Sequence, residues 1–456
     1  MSQPKRVSGA GSRTYGDERP GRPVFDARPD ARSIAAGVIE RVLTDSAYAA
    51  AAISAAIERH PQLDERGRAL LTELVYSTLR SQKTLLSELE AHAPRGLPRD
   101  AAFVSHLLVA AVQILHFDHR RAPIAVDVAV SQINALRGPR MAGFANALLR
   151  KIVAGQPQFD RAESARQNAP AWIRERLEAA VGSDEADRLL GVVHDAEAGH
   201  PVALRMRISR PSPPSTLTDA PLGRFSPLCR KMTGKGDPRK LPGYAEGEFV
   251  IQEEGAQLIG LALAAKPGER VLDACAGRGQ KTTLLAEQVA PGGSVCATDL
   301  HQRKLEALTE ELARLGLGGV TTKTVDWSRG SGDVSELFDA ALVDAPCTGT
   351  GTLRRRPEIL LRLEPDDPLR LSELSTSILR HVAAHVRSGG RVLYAVCSVL
   401  PEEGERVVEA VADCLELVPF EVECVRAALG EGASMGRLLP GKHGTDGYFL
   451  ANFRRR

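Results

Sequence analysis

The spacing of apolar residues changes character along the chain. From Ala31 to about Gly155 they recur every three or four positions: Ile34, Val38, Ile39, Val42 and Leu43, then Leu70, Leu71, Leu74, Val75, Leu79 and Leu85. That period predicts amphipathic helices. The apolar run 101–117 follows, then 124–136, then Phe144, Leu148 and Leu149. Polar breaks such as 93–99, with Pro94, Gly96 and Pro98, separate them, so residues 31–155 read as a helical bundle with its own core. Further helices are expected over 156–200, around Trp172, Ile173, Leu177, Leu189 and Val192. From about Glu246 the pattern becomes strand, helix, strand. Apolar strands are predicted at 270–272, 294–298, 320–325, 338–343 and 391–396, and helices at 303–315, 371–386 and 402–414. Such alternation predicts a mostly parallel sheet wrapped by helices, with ligands beyond the carboxyl ends of the strands.

Two stretches fit neither pattern. Residues 1–30 are polar and rich in Gly, Pro and Arg, and read as a flexible arm. Residues 201–244 carry nine Lys and Arg against two Asp among many Pro and Gly. Phosphate contact is the natural use of that charge, and a flexible basic linker the competing one. The expected organisation is an arm (1–30), a helical domain (31–155), a helical and basic linking region (156–245) and an α/β domain (246–456).

Composition sharpens this only in places. The chain has 456 residues, 43% apolar and 25% charged, which excludes fibrous and wholly disordered classes. A net charge of +2 says nothing about partners until it is resolved along the chain. Aromatics at 4% argue against a base-stacking platform. Seven cysteines without framework or metal-ligand spacing suggest a reducing cytoplasm and no metal site. The start of the chain lacks the apolar core of a secretory signal, and 101–117, interrupted by Ser105, His106, Gln113 and His116, reads as a buried helix and not a membrane span.

The predicted strands share a feature at their carboxyl ends. The first is followed by Asp273-Ala274-Cys275-Ala276-Gly277-Arg278-Gly279-Gln280-Lys281-Thr282, a small-residue turn opening a helix, where a ligand can approach the backbone. The second ends in Asp299, suited to ribose hydroxyls, the third in Asp326 and the fourth in Asp344. One such Asp is usually a helix cap; four in series favour a nucleoside-type cofactor carrying an amine. Cys347 and Cys397 follow the fourth and fifth strands and face the same crevice. The other cysteines, outside such motifs, read as small buried hydrophobes.

The motifs DACAGRGQKT, ATDL, VDW, DAPCTGTG, YAVCSVLPEE and LLPGKHGTDGYFLANF, in that order, resemble those of the RNA 5-methylcytosine methyltransferases of the ribosomal small-subunit methyltransferase B, Nop2 and Sun group. The helical domain, ending in Gly143-Phe-Ala-Asn-Ala-Leu-Leu-Arg150, resembles the NusB-type domain of that group's bacterial 16S rRNA branch. The resemblance implies an all-α NusB-like bundle joined to a Rossmann-like class I methyltransferase domain. It implies S-adenosylmethionine on the turn from Cys275 through Ala276, Gly277, Arg278, Gly279 and Gln280 to Lys281. Asp299 would meet the ribose, Asp326 the adenine amine, and Asp344 the methionine and the target base. Cys397 would be the nucleophile and Cys347 the thiol that assists release. The substrate would be RNA, 16S rRNA in particular, with no DNA or membrane partner and a monomeric enzyme. The chain departs from the group in its basic segment 201–244, which is shorter and less regular than the group's RNA-contacting subdomain, and in two motifs. Its turn reads Gly-Arg-Gly-Gln-Lys where Ala-Pro-Gly-Gly-Lys is usual, so the side chains of Arg278 and Gln280 must point away from a ligand. Gly404 stands where Asn is common.

The chemistry calls for these residues. Cytosine C5 is a poor nucleophile until a thiolate adds to C6, and a target base must leave its stack to be attacked. Competing readings are a tRNA cytosine methyltransferase, an amino-methyltransferase, a DNA cytosine methyltransferase using the Pro-Cys thiol alone, and a non-catalytic assembly factor. The last would have lost key residues, yet both cysteines and all four aspartates are present.

Overall fold

The computed structural model describes residues 29–117, 119–155, 159–192, 202–210, 212–232 and 236–456. The predicted arm up to residue 28, and Lys235 of the basic segment, lie outside them.

The N-terminal third is a helical bundle. Helices Ala31–Thr44, Glu65–Arg80 and Ala101–His116 each begin at an aspartate whose carboxylate accepts backbone N–H groups of the first turn: Asp30, Asp64 and Asp100. Ala101–His116 is buried along nearly its whole length, which explains its uninterrupted apolar run: it is the central helix of the bundle. Ile39, Leu71, Leu74, Leu79, Phe103 and Leu108 fill the core around it. Among the described residues, no helix is long and apolar enough to cross a membrane.

Three helices, Arg161–Asn168, Ala171–Val181 and Ser183–Leu189, lead away from the bundle. Ile173, Leu177 and Leu189 pack on Leu353 and Leu360, beyond the Cys347 motif, and on Val399 and Leu400 within the Cys397 motif.

The basic segment is folded, which corrects the flexible-linker reading of it. It forms a small antiparallel sheet of three strands, β1 (Ala203–Met206), β2 (Cys229–Lys231) and β3 (Phe249–Ile251), so the unit extends past residue 245. Two of its arginines serve the interior. Arg205 is fully buried and donates to Gln252 (2.7 Å), Glu287 (3.0 Å) and Thr283 (2.8 Å). Arg207 donates to the carbonyls of Gly247 and Leu315 and pairs with the same Glu287. Lys231 pairs with Glu254, and Arg239 with Asp237. A three-stranded sheet cannot bury much apolar surface alone, and the Arg205, Arg207 and Lys231 pairs tie it to the α/β domain. Arg205 and Arg207 are therefore spent inside the protein, whereas Arg210, Arg224, Arg239 and Lys240 stay exposed.

The C-terminal domain is built on an eight-stranded sheet. Its strands are β4 (Arg270–Asp273), β5 (Ser294–Asp299), β6 (Val320–Thr324), β7 (Phe338–Asp344), β8 (Val386–Val396), β9 (Leu415–Leu417), β10 (Met435–Leu438) and β11 (Tyr448–Arg455). The order is β10-β11-β8-β7-β4-β5-β6, with β9 also on β11. The strands from β8 to β6 run parallel, and β11 is antiparallel to β8, β9 and β10. Central strands covered on both faces are apolar throughout, as Phe338-Asp-Ala-Ala-Leu-Val shows at all but one position. The parallel set brings the carboxyl ends of β4, β5, β7 and β8 to one edge.

Candidate active site at the carboxyl edge of the sheet

Four strand ends build the site. At the end of β4, Asp273 is buried and its Oδ2 accepts from the Thr282 hydroxyl at 2.6 Å, while its Oδ1 has no partner among the described residues. Burial pushes this carboxyl up to about 7, against the Thr282 hydrogen bond and with the help of the Asp344 charge. The chain then turns through Gly277, which has φ +57° and open space where a Cβ would stand. Arg278 is exposed and Gln280 donates to the Ile251 carbonyl, so neither side chain fills the turn.

Asp299, at the end of β5, accepts from Gly277 N–H (3.0 Å) and His301 N–H (2.8 Å), with Lys304 at 3.3 Å. Its carboxylate thus tethers the turn to the neighbouring strand. Asp326 lies two residues beyond β6 and accepts from the backbone and hydroxyl of Ser328, with Arg329 at 3.4 Å. Those partners are local; the residue beside it, Trp327, donates to Thr298 at 2.8 Å and pins this loop against β5. An orphaned buried carboxylate oxygen, a bare glycine turn and the Asp299 tether fit a nucleoside-type cofactor along this edge.

At the end of β7, Asp344 receives the Lys281 ammonium at 2.6 Å. Although burial works against its charge, the Asp344 carboxylate holds Lys281 above its usual range. Cys275 lies among the Asp344, Asp273 and Asp299 charges, and burial with those charges keeps it a neutral thiol. Three residues past Asp344 is Cys347, whose sulfur is 3.3 Å from that of Cys397, the first residue after β8. The hydrogen bond they share lowers the Cys397 thiol and raises that of Cys347. Burial and the Asp344 charge oppose ionisation of Cys397; Arg356 and Lys281 favour it.

The loops behind the thiols are closely fitted. Gly351 N–H donates to the Cys397 carbonyl at 3.0 Å, and Gly447 N–H to the Gly351 carbonyl at 2.8 Å. A Cβ on Gly351 would meet the Gly447 carbonyl at 1.9 Å, so only glycine fits this crossing. Ser375 donates to the Pro346 carbonyl at 3.1 Å.

The structure therefore brings together Cys275, Lys281, Asp344, Cys347 and Cys397, with Asp273 and Asp299 at the turn, and leaves Asp326 in a local cap. Two features escape sequence reasoning. One is the Lys281–Asp344 pair, which joins residues expected in separate roles. The other is Glu403: its fully buried carboxylate accepts from Thr348 N–H (2.7 Å) and the hydroxyls of Thr348 (2.6 Å) and Ser398 (2.5 Å). Its only signal in the sequence is its place six residues after Cys397.

Residues 260–454 match the family described as 16S rRNA methyltransferase RsmB/F, and residues 29–154 match the NusB family. A protein of Bacillus subtilis, the probable ribosomal RNA small subunit methyltransferase B, is 30% identical over 93% of this chain and 98% of its own length. The ribosomal RNA small subunit methyltransferase B of an Escherichia coli strain is 31% identical over 92% and 97%. Among solved structures, PH0851 superposes with a TM-score of 0.79 at 24% identity, covering 94% of this chain and 99% of that one. NSun6 from Pyrococcus horikoshii has a TM-score of 0.52 at 16% identity, covering 63% and 98%. The first shares the whole fold and the second part of it. With relatives this similar end to end, and both of its domains matched in order, the chain belongs to the RsmB/F family of methyltransferases that carry an N-terminal NusB domain.

Proposed function

We propose that the protein methylates C5 of a cytosine in RNA, with 16S rRNA as the substrate, through a transient bond between Cys397 Sγ and C6 of the base. The observation that carries this reading is the pair of sulfurs 3.3 Å apart on adjacent strand ends, with the acidified thiol on Cys397. An amino-methyltransferase has no use for a nucleophilic thiol, and an enzyme relying on the Pro-Cys thiol alone has no use for Cys397. The relatives' names support the choice of 16S rRNA.

The cofactor is S-adenosylmethionine, whose sulfonium makes its methyl group electrophilic. Residues from Cys275 to Lys281 would line it, with Asp299 at the ribose and Asp326 at the adenine end. The remaining steps belong to the chain. Cys397 thiolate adds to C6, and the electron pair of the C5–C6 bond moves onto the ring, which needs a proton at N3. Asp344 is the partner of the Lys281 ammonium. The proton for N3 therefore comes from this ion pair and not from an isolated carboxylic acid. Once C5 carries the methyl group, a solvent base takes the C5 proton, its electron pair re-forms the C5–C6 bond and expels Cys397, and N3 returns its proton to the Lys281–Asp344 pair. Cys347 stands at hydrogen-bond distance to protonate the departing sulfur.

Incubation of the protein with 16S rRNA and methyl-labelled cofactor, followed by nucleoside analysis, tests the reading. The label is expected in 5-methylcytidine and is expected to vanish in Cys397→Ala. Label in an N-methylated nucleoside, or near-normal transfer by Cys397→Ala, would contradict it.

A further inference from the structure

Glu403 has no part in the steps above, yet its carboxylate accepts three hydrogen bonds beside them. It is fully buried, and among the described residues no lysine or arginine forms an ion pair with it. A buried anion without a cation costs several kcal/mol unless hydrogen bonds replace its hydration. Here three donors do so, and their identity matters. Thr348 follows Cys347 and donates twice, through backbone and hydroxyl; Ser398 follows Cys397 and donates through its hydroxyl. One carboxylate thus grips the residue after each thiol. Thr350 Oγ1 joins Ser398 Oγ at 2.9 Å, and Leu400 N–H donates to Ser398 Oγ, so the hydroxyls are themselves fixed. Glu403 is held in turn, with its carbonyl accepting from Tyr394 at 2.6 Å and its N–H donating to Leu400.

We propose that Glu403 is a positioning residue for the reaction: its carboxylate ties the loop after β7 to the loop after β8 and so sets the 3.3 Å separation of Cys347 and Cys397. The inference rests on the cysteine mechanism proposed above for its purpose, but not for its geometry. Glutamine has the size of glutamate but must set its amide NH₂ against either the two hydroxyls or Thr348 N–H, so it cannot accept all three hydrogen bonds that join the arms.

The effect of Glu403 on the thiols has two components of opposite sign. Its charge acts through space to disfavour a thiolate, as it does at Cys347. The positioning it provides supports the hydrogen bond from Cys347 that makes Cys397 acidic. The other groups facing Cys397 are Asp344 and Tyr448, which disfavour its ionisation or are disfavoured by it, and Lys281 and Arg356, which favour it. Tyr394 faces Cys347 and Glu403. None of these is altered by Glu403→Gln. If only charge mattered, Glu403→Gln would make Cys397 more acidic. If position matters, it makes Cys397 less acidic.

The measurement is the pH dependence of iodoacetamide alkylation at Cys397, read by peptide mass spectrometry on the full chain without RNA. For Glu403→Gln we expect the midpoint to rise by about one unit, so that alkylation below both midpoints is about tenfold slower. A midpoint that falls or stays put overturns the proposal, even if the variant is less stable. Should Glu403→Gln fail to fold, Ser398→Ala decides: it removes one arm, a smaller rise supports the proposal and an unchanged midpoint overturns it. Because no RNA is used, this outcome is separate from the cysteine mechanism, whose own failure would be seen as activity in Cys397→Ala.

Discussion

Sulfur and carboxylate chemistry at the strand ends is set by a few contacts between residues far apart in the chain. Cys347 and Cys397 are fifty positions apart, and Lys281 and Asp344 sixty-three. The motifs around each cysteine identify it, and its strand-end position was legible from the alternation of apolar runs. The pairing of Lys281 with Asp344 was not, because it depends on β4 and β7 being neighbours in the sheet, which local pattern does not specify. Asp273 carries a consequence for stability. Its folded carboxyl is raised to about 7 by burial, above the value near 4 of an exposed aspartate. The folded state therefore holds a proton that the unfolded chain has lost over roughly pH 4 to 7, and stability falls as pH rises through that window. Asp273→Asn, which keeps the size and can still accept from Thr282, is expected to be more stable than the parent at pH 8 by up to about 4 kcal/mol. The gain should shrink towards pH 5, and cofactor binding should weaken. Thermal melts at the two pH values check this, and an equal gain at both would contradict it.

Helices and central strands were legible as elements because their apolar periods are long and regular. The small sheet was not. Its strands are only three or four residues long, sit among Pro and Gly, and present arginine where a core residue would be expected. A count of basic residues points outward to phosphate, whereas the folded segment turns Arg205 and Arg207 inward onto Glu287. Glu287 is itself almost completely buried. Removing it leaves two guanidinium groups without their carboxylate, a loss on the order of 3–5 kcal/mol. Glu287→Ala should therefore unfold the chain at markedly lower denaturant, measured by tryptophan fluorescence or circular dichroism. Substitution of Arg210, which is exposed, should leave the midpoint nearly unchanged.

At the scale of the molecule, the helical bundle rests on the segment that follows the Cys347 motif. Helix Ala49–Arg59 has no cap of its own; Glu358, from the α/β domain, accepts its first N–H at 3.1 Å. Arg362 donates to the carbonyls of Ala47 and Val42 and stacks over Tyr48, and Arg80 of the bundle donates to the Arg354 carbonyl. Arg354 and Arg355 both pair with the buried Asp446 of the loop before β11. Two domains were legible from the sequence, but not this docking, which is made by single side chains without a periodic signature. Glu358→Ala should cost about 1 kcal/mol from the lost cap. Combined with Arg362→Ala, it should loosen the bundle first, so that hydrogen exchange rises in residues 31–60 before the catalytic sheet. Protection unchanged in both regions would show that other contacts hold the domains together.

The most direct test of the cysteine mechanism is whether the protein becomes covalently trapped on its RNA when Cys347 is replaced. Cys347→Ala is incubated with 16S rRNA and S-adenosylmethionine and analysed on a denaturing gel. The account predicts an RNA-linked species that resists denaturant and disappears when Cys397 is also changed to Ala. An adduct that persists in the double variant, or none in Cys347→Ala with methyl transfer intact, would contradict it.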